Sequence, residues 1–359
     1  MQREYWLKKT DTKCLQALAA LLMVCHHLLA MPERLIQECI PLLGQGNWQI
    51  EVGIGTFAKI CVGLYAFITG YGLAVFSGRF CNGSKQERWK QDIDKSRKSI
   101  WKFYKKFWFV FLLFIPYGLW KGIYNFEQEE FLKNLLGLWS TYNHEWWYVW
   151  FYLKLLILFP LFDAFVQNLN SRKMFFRKAM TLLLLFGILF GLCQWNGTLK
   201  RIIWKVYCVL DFSVYYIIAI TGYLMAKFDV YNRKIFSSKA LKNRIVNLLG
   251  LCVLIFARIT MAENAWWNTG DFVFVPLFIY FVINVLGTKQ KEFLAGIGNY
   301  SIYIWLTHTF LLYYYWPRLI LWPKYTVLIL IWYEIVSVAI GALLHKVFIF
   351  SGSYARKTL

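Results

Sequence analysis

Residues 14–35 read CLQALAALLMVCHHLLAMPERL, and the first eighteen of them, 14–31, carry no formal charge. A run of this length can cross the ~30 Å hydrocarbon core of a bilayer as an α-helix. Two adjacent histidines, His26 and His27, stand near its far end. Ionisable side chains inside a membrane are costly and usually face a protein interior or a wet cavity. The stretch therefore predicts a membrane-spanning helix that carries a polar site.

The whole chain has the composition of a membrane protein. Hydrophobic residues make up 59% of its 359 residues and charged residues only 16%, so the polar surface is too small to cover a soluble globule. Apolar runs of spanning length predict an all-α integral membrane protein with about ten transmembrane helices, both termini cytoplasmic, and a single polytopic domain over residues 1–359. The predicted spans are 14–31, 54–76, 107–124, 146–166, 179–195, 206–226, 245–262, 272–287, 297–316 and 325–348.

The distribution of basic residues supports this topology. Of the 40 Lys and Arg residues, 28 lie in segments that the topology makes cytoplasmic, in agreement with the positive-inside rule. The net charge of +21 is then a property of one membrane face and does not indicate nucleic-acid binding. Within the basic segment 77–106, apolar residues at helical spacing predict an amphipathic helix on the inner leaflet. The eight cysteines form no C-x-x-C pair, so we expect no disulfide framework and no metal site.

One face of the first span carries two polar residues. Gln16 and His27 are eleven residues apart, which is about three helical turns, so they share a face. His26 lies roughly 100° away around the helix. We therefore expect that the two histidines do not point at the same site and that His27 is the functional one.

The second span carries Lys59 on a face of small residues. Such a face lets a neighbouring helix approach closely, so we expect Lys59 to face protein and not lipid. Counted from the outer boundary at about 1.5 Å per residue, Lys59 and His27 lie at similar depths. This predicts that they meet at a cavity open to the outer side. The small residues that share the helical spacing of Lys59 are Gly55, Gly63, Ala66 and Gly70.

Further polar residues lie at bilayer depth in later spans. His308, in the outer half of its span, is the third candidate for the site. Glu334, Asp211 and Lys154 lie nearer the middle of their spans, where a structural hydrogen bond or ion pair explains them as well as a function does. Three basic residues lie toward span ends, where we expect them to extend to the membrane interface: Arg258, Lys121 and Lys346.

Four segments resemble motifs of the membrane-bound acyltransferase 3 family. Residues 14–27, CLQALAALLMVCHH, are similar to its first helix, G-L-R-A-x-A-x-x-x-V-x-x-x-H. Residues 63–73, GLYAFITGYGL, resemble its F-F-x-x-S-G-[FY] segment, and residues 298–310, GNYSIYIWLTHTF, resemble its late G-x-x-S-x-x-x-Y-L-x-H helix. Residues 146–160, WWYVWFYLKLLILFP, look like the W-[FY] to P segment of the middle helices. The four motifs occur in the family's order over almost the whole chain.

The resemblance implies transfer of an acyl group, commonly acetyl from acetyl-CoA, to a hydroxyl of an envelope carbohydrate at the outer face of a bacterial cytoplasmic membrane. The family histidine falls on His27, as general base or acyl carrier, and the histidine of the late helix falls on His308. Lys59 or His308 is then the candidate to stabilise the oxyanion. The family arginine falls on Gln16, which leaves donor binding to Gln16 or, one turn earlier, to Lys13. The resemblance implies no metal, and it leaves the acceptor, the acyl chain and the oligomeric state open.

Two other classes of function fit the same spans. A transporter or exporter of a small polar or glycan substrate also needs many spans with buried polar groups. The third hypothesis is a non-catalytic partner in polysaccharide assembly. Acyl transfer requires His27, whereas transport without chemistry does not. Outer aromatic residues, among them Trp146, Trp147 and Trp266, are candidates for stacking on a sugar acceptor.

Overall fold

The computed structural model describes residues 4–78, 84–167, 214–236, 238, 241, 243–262 and 270–357. In these residues the chain is helical, and β-structure is limited to one bridge between Ile40 and Tyr325. The predicted all-α class is therefore confirmed for the described ranges. The predicted span 179–195, part of 206–226, Asp211 and Trp266 lie outside them.

Thirteen α-helices and four shorter helical elements lie in the described ranges. The α-helices are α1 Lys9–Leu29, α2 Gln49–Ala58, α3 Ile60–Ser77, α4 Lys85–Trp120, α5 Gln128–Leu135, α6 Trp147–Gln167, α7 Val214–Lys227, α8 Arg244–Ala262, α9 Asp271–Val285, α10 Thr288–Gly298, α11 Ser301–Thr309, α12 Pro317–Leu321 and α13 Thr326–Lys357. Turns of 3₁₀ helix lie at Pro32–Arg34, His144–Trp146 and Val230–Asn232, and a π-helix lies at Phe310–Tyr314.

Several helical segments are suited to a membrane. Within the described ranges, five are long and apolar enough to cross a bilayer, and two shorter apolar helices accompany them. All seven coincide with predicted spans, so the chain is a membrane protein, while the number ten and the orientation of the termini stay predictions. The five are Lys9–Leu29, Gln49–Ser77, His144–Val166, Arg244–Met261 and Thr326–Ser351, and the two are Val214–Lys227 and Asp271–Val285.

The helix predicted within the basic segment 77–106 is present from Lys85 onward, while its position on the inner leaflet stays a prediction. Helix α4 runs without interruption from Lys85 to Trp120, so it joins the basic residues to the predicted third span. Its first turn is fixed by a capping box, in which the Glu87 N–H donates to Ser84 Oγ and the Ser84 N–H donates to the Glu87 carboxylate. No Pro or Gly occurs between residues 85 and 106, so no residue there interrupts the helix.

The small-residue face of the second span brings helices into backbone contact. A Cβ at Gly70 would lie 1.8 Å from the carbonyl oxygen of Ala219 in α7. A Cβ at Gly55 would lie 2.4 Å from the backbone nitrogen of Ala30, just beyond α1. Only glycine allows such approaches. The helices on either side of Lys59 are therefore held directly against their neighbours.

The prediction that Arg258 extends to the membrane interface is wrong. Its side chain in α8 is fully buried, and its Nε and Nη2 donate to the two carboxylate oxygens of Asp271 at 2.8 and 3.0 Å. Asp271, the first residue of α9, is also fully buried. In the sequence, a cation near the end of an apolar run looks the same whether it faces water or a buried carboxylate on the next helix.

Candidate active site

A cavity of about 630 Å³ opens beside the C-terminal end of α1. It contains His27 and Lys59 together, and most of its wall comes from α1, from the junction of α2 and α3, and from the start of α6. The residues that line it are Met23, His26, His27, Ala30, Met31, Arg34, Thr56, Lys59, Cys61, Val62, Tyr65, Glu145, Trp147, Tyr148, Tyr215 and Trp305.

His27 faces a carboxylate across this cavity. Its Nε2 lies 3.6 Å from Oε2 of Glu145, and the other carboxylate oxygen of Glu145 accepts from Nη1 of Arg34 at 3.1 Å. The guanidinium of Arg34 in turn lies 4.1 Å from the ring centroid of Tyr313, and the Tyr313 hydroxyl donates to the His27 carbonyl at 2.5 Å. Arg34 and Glu145 therefore form a charged pair at the mouth of the site, with His27 beside the carboxylate.

Glu145 is a site residue that the sequence analysis missed. It sits in the 3₁₀ turn before α6, where its N–H donates to Oδ1 of Asn143 at 3.1 Å. The Asn143 side chain exchanges hydrogen bonds with the Thr309 hydroxyl, at 2.8 Å through Nδ2 and 3.0 Å through Oδ1. Thr309 follows His308 directly, so one buried pair ties the Glu145 turn to the late histidine helix. An acid at the start of an apolar span, in NHEWW, was the available signal.

His308 lies behind His27 and not in the cavity wall. The two ring centroids are 5.0 Å apart, and His308 is fully buried. Its Nδ1 lies 2.7 Å from the Trp305 carbonyl, which can only accept, so this nitrogen carries a proton and Nε2 presents a lone pair. Among the described residues, neither this Nε2 nor Nδ1 of His27 has a hydrogen-bond partner. The two adjacent rings thus each present one uncommitted nitrogen.

The expectation that His26 and His27 do not face one site is wrong. Both line the same cavity, and their ring centroids are 5.0 Å apart. The cavity is wide enough to cover more than one face at the end of α1, which a helical wheel does not show. Nδ1 of His26 lies 2.7 Å from the Gly55 carbonyl, so it donates there and its Nε2 carries the lone pair.

Lys59 occupies an interruption between two helices. Helix α2 ends at Ala58 and α3 begins at Ile60, with Lys59 between them at φ −60° and ψ −13°. The interruption places an ammonium in the cavity wall that also holds His26 and His27. An ammonium beside neutral imidazoles can stabilise negative charge that develops on a substrate oxygen.

The two residues predicted to bind the donor do not line this cavity, although Gln16 contacts Tyr65 of its wall. Lys13 is near the opposite end of α1, where its Nζ lies 3.5 Å from the Gly298 carbonyl. Gln16 is partly buried, and its carbonyl accepts from the Tyr65 hydroxyl at 3.3 Å. Neither lines the cavity, and Glu334 and Lys154 do not line it either.

A group of cations surrounds Lys13. Lys106, in the basic part of α4, has its Nζ 5.8 Å from the Tyr303 ring centroid. Burial, and then the nearby ammoniums of Lys102 and Lys13, lower the pKa of Lys106 to about 8. None of the ion pairs formed within the described ranges includes Lys13, Lys102 or Lys106. This lysine group is therefore a set of like charges at the end of α1 remote from the histidines.

The cavity therefore combines base-capable imidazoles, a carboxylate and an ammonium. A neutral imidazole can accept a proton from a hydroxyl, the carboxylate can stabilise the resulting cation, and the ammonium can stabilise an oxyanion. Among the described residues, no cluster of three or more His, Cys, Asp and Glu side chains is arranged to hold a metal ion. The set of side chains suits acid–base chemistry on an uncharged hydroxyl.

Comparison with known proteins agrees with the motifs. The family model described as an acyltransferase domain, that of the acyltransferase 3 family, matches residues 11–346. The match includes every residue of the cavity wall. Comparison with curated proteins and with solved structures gives no match.

Proposed function

Because the chain belongs to the acyltransferase 3 family, we propose that it transfers a short acyl group, acetyl in the first instance, from cytosolic acyl-CoA to a hydroxyl of an envelope or extracellular carbohydrate. The family supports a membrane acyltransferase in general, and the donor, the acceptor and the O-acyl class are our proposals. The observation that carries them is the presence of His27, Glu145 and Lys59 in one cavity. We place the protein in a bacterial cytoplasmic membrane, as a single multi-pass domain with this cavity facing outward.

His27 is the proposed general base. Its Nε2 takes the proton of the acceptor hydroxyl while the hydroxyl oxygen attacks the thioester carbonyl carbon, the C–S bond breaks, and the proton passes to the departing CoA sulfur. Glu145, 3.6 Å from Nε2, stabilises the imidazolium between these two events. Base catalysis of this kind typically contributes ~10²- to 10⁴-fold. In the alternative route, Nε2 attacks the thioester carbonyl carbon and the C–S bond breaks, which releases CoA thiolate. The acceptor hydroxyl oxygen then attacks the acyl carbon, the C–N bond to Nε2 breaks, and the hydroxyl proton passes to the CoA thiolate.

Lys59 and His308 have different proposed roles. Lys59 lies in the cavity wall and stabilises the oxyanion of the thioester carbonyl. His308 is buried behind His27 with an accepting Nε2. We propose that His308 determines which ring nitrogen of His27 carries the proton. The two ring centroids are 5.0 Å apart, and a proton on Nδ1 of His27 leaves Nε2 of His27 as the basic nitrogen.

The lysine group is the proposed site for the donor's phosphates. Clustered ammoniums with no carboxylate in ion-pair contact favour a polyanion between them, and the phosphates are the charged end of acyl-CoA. Lys13 supplies a cation one turn before Gln16, at the end of the helix where the family arginine is replaced. Lys102 and Lys106 add charge from α4.

The distance between the two ends of α1 suits a CoA thioester. From residue 13 to residue 27 is fourteen residues, or about 21 Å along a helix. The phosphates and the thioester of acyl-CoA are separated by the extended pantetheine arm, which is comparable in length. A donor bound by its phosphates near Lys13 therefore presents its acyl group toward His27, while the acceptor approaches from the opposite side.

The proposal is tested by acyl transfer in membranes. Membranes that contain the parent protein, or the variant His27→Ala, are supplied with acetyl-CoA labelled on the acetyl group, and label is followed into alkali-labile envelope material. We expect transfer with the parent and a loss of about 10²-fold or more with His27→Ala, because the base is gone. His144→Ala is the matched control, since His144 is exposed and outside the cavity wall.

Three results contradict the proposal. Equal transfer by the parent and by His27→Ala at equal protein levels excludes His27 as base and as carrier. Equal loss in His27→Ala and His144→Ala indicates a general effect of removing a histidine. Absence of transfer by the parent, with host glycan and several acyl-CoA chain lengths supplied, favours the transporter reading.

A further inference from the structure

One fully buried ion pair of the described residues lies outside the cavity wall. Arg258 and Asp271 are both fully buried, and two parallel hydrogen bonds of 2.8 and 3.0 Å join the guanidinium to the carboxylate. A buried ion pair contributes little net stability, because both charges lose their hydration. Its presence therefore needs an explanation other than stability.

The remaining guanidinium nitrogen of Arg258 is directed at the second span. Its Nη1 donates to the Thr56 carbonyl at 2.7 Å and to the Phe57 carbonyl at 2.8 Å. These carbonyls belong to the last turn of α2, immediately before the interruption at Lys59. Carbonyls at the end of a helix lack the usual N–H donors, and in a membrane no bulk water replaces them. Arg258 supplies donors at the place where the helix stops.

We infer that the Arg258–Asp271 pair is a positioning device that maintains the interruption of the second span and so holds Lys59 in the cavity. The inference rests on the proposed function only for what Lys59 does there. Asp271 orients the guanidinium, Arg258 binds the end of α2, and α3 restarts at Ile60. Without these donors, the carbonyls at the interruption are satisfied by N–H groups one turn further on. The helix then continues through residue 59, and the direction of the Lys59 side chain changes.

The same device also acts on His26. The Gly55 carbonyl, which accepts from Nδ1 of His26, lies in the turn of α2 that Arg258 holds. Loss of the Arg258 contacts therefore disturbs two residues of the cavity wall, although Arg258 does not line the cavity.

The test separates positioning from folding by a double substitution. Arg258→Met alone leaves the Asp271 carboxylate buried without its partner, so we expect a large loss of folded protein. Arg258→Met with Asp271→Leu removes both charges, and such replacements often restore stability. We expect this double variant to fold as the parent does, and to lose acyl transfer about 10²-fold because the geometry of the site has changed.

A second readout does not depend on activity. Purified parent and variants are treated with a small water-soluble amine reagent, and the rates of labelling at Lys59 and at the exposed Lys121 are compared by peptide mass spectrometry. We expect a slower rate at Lys59 in the double variant, and an unchanged rate at Lys121. Arg258→Lys keeps a charge for Asp271 but has too few donors for the carboxylate and both carbonyls, so it should fold and also label more slowly at Lys59.

Parental labelling of Lys59 in both Arg258→Lys and the double variant overturns the inference, and so does parental acyl transfer by the double variant. In either case the pair would only tether helices. If the parent itself transfers no acyl group, the proposed function fails, and the labelling of Lys59 still decides whether Arg258 positions it.

Discussion

The contact of α3 with α7 gives the sharpest test of the packing. In the structure, a Cβ at Gly70 would lie 1.8 Å from the Ala219 carbonyl oxygen and 2.7 Å from its carbonyl carbon. Ordinary contacts begin near 3.4 Å, so Gly70→Ala requires a local separation of about 1.6 Å between two backbones. The reciprocal contact is similar, since a Cβ at Gly222 would lie 2.2 Å from the Phe67 carbonyl oxygen.

We expect Gly70→Ala to cost about 3 kcal/mol, the upper end of the range for overpacking, because both atoms in conflict belong to backbones and neither can change rotamer. Gly72→Ala is the matched control on the same helix. A Cβ at Gly72 meets nothing within 4 Å, so this variant should be neutral or stabilised by about 0.4–1 kcal/mol. The change in helix propensity is the same in both variants. The difference between their free energies of unfolding therefore measures the effect of the contact between α3 and α7.

The assay is unfolding of the two purified variants in detergent, followed by tryptophan fluorescence, together with the fraction of monodisperse protein after extraction. A lower midpoint for Gly70→Ala alone agrees with the structure. Equal midpoints for Gly70→Ala and Gly72→Ala would refute the close approach of α3 and α7, and with it the reason for glycine at this face of the second span.

Two predictions concern the substrates of the proposed reaction. Lys106→Gln should raise KM for acyl-CoA about tenfold, because a hydrogen bond to a charged group contributes ~1.5 kcal/mol, while Lys90→Gln, an exposed residue on the same helix, should not. The pKa of Lys106 is lowered to about 8, so its ammonium is lost as pH rises through 8. The KM of the parent for acyl-CoA should therefore rise in this pH range, and the KM of Lys106→Gln should not. Initial rates measured across the range test this. Trp147→Ala should raise KM for a sugar acceptor about fivefold through lost ring stacking of ~1 kcal/mol, with the exposed Trp120→Ala as control, and an unchanged KM would exclude stacking at Trp147.

Sequence periodicity was sufficient for features that lie along one helix. Spacing alone determines which residues share a helix face. It was therefore enough to predict that Lys59 lies on a face of small residues packed against protein. The common depth of His27 and Lys59 follows from counting residues in two consecutive spans. Their presence in one cavity wall required no further information, because consecutive spans pack together here.

Features that depend on a partner in another helix were not accessible in this way. Glu145 reaches His27 through a turn that is anchored on Thr309, and no local pattern connects those residues. Arg258 near the end of a span has an ordinary interfacial explanation until Asp271 is placed beside it. Both misses concern polar contacts, whose partners are specified by tertiary structure and not by hydrophobic period.

The site itself lies between two irregular places in otherwise regular helices. On one side α2 and α3 are interrupted at Lys59, and on the other α11 changes into the π-helix Phe310–Tyr314. Each irregularity brings a polar group to α1: the Gly55 carbonyl accepts from His26, and the Tyr313 hydroxyl donates to the His27 carbonyl. A regular helix commits its backbone groups to its own ladder, whereas π-turns and interruptions are frequent at functional sites.

This arrangement explains how histidines are held inside two apolar helices, α1 and α11. In each of these rings one nitrogen, Nδ1, donates to a backbone carbonyl, that of Gly55 for His26 and that of Trp305 for His308, so its N–H is not left unsatisfied in hydrocarbon. His27 differs from both, because its Nε2 lies 3.6 Å from the Glu145 carboxylate. His26 and His308 each donate through Nδ1, and of the three rings His27 is the one beside a carboxylate that can stabilise its charged form.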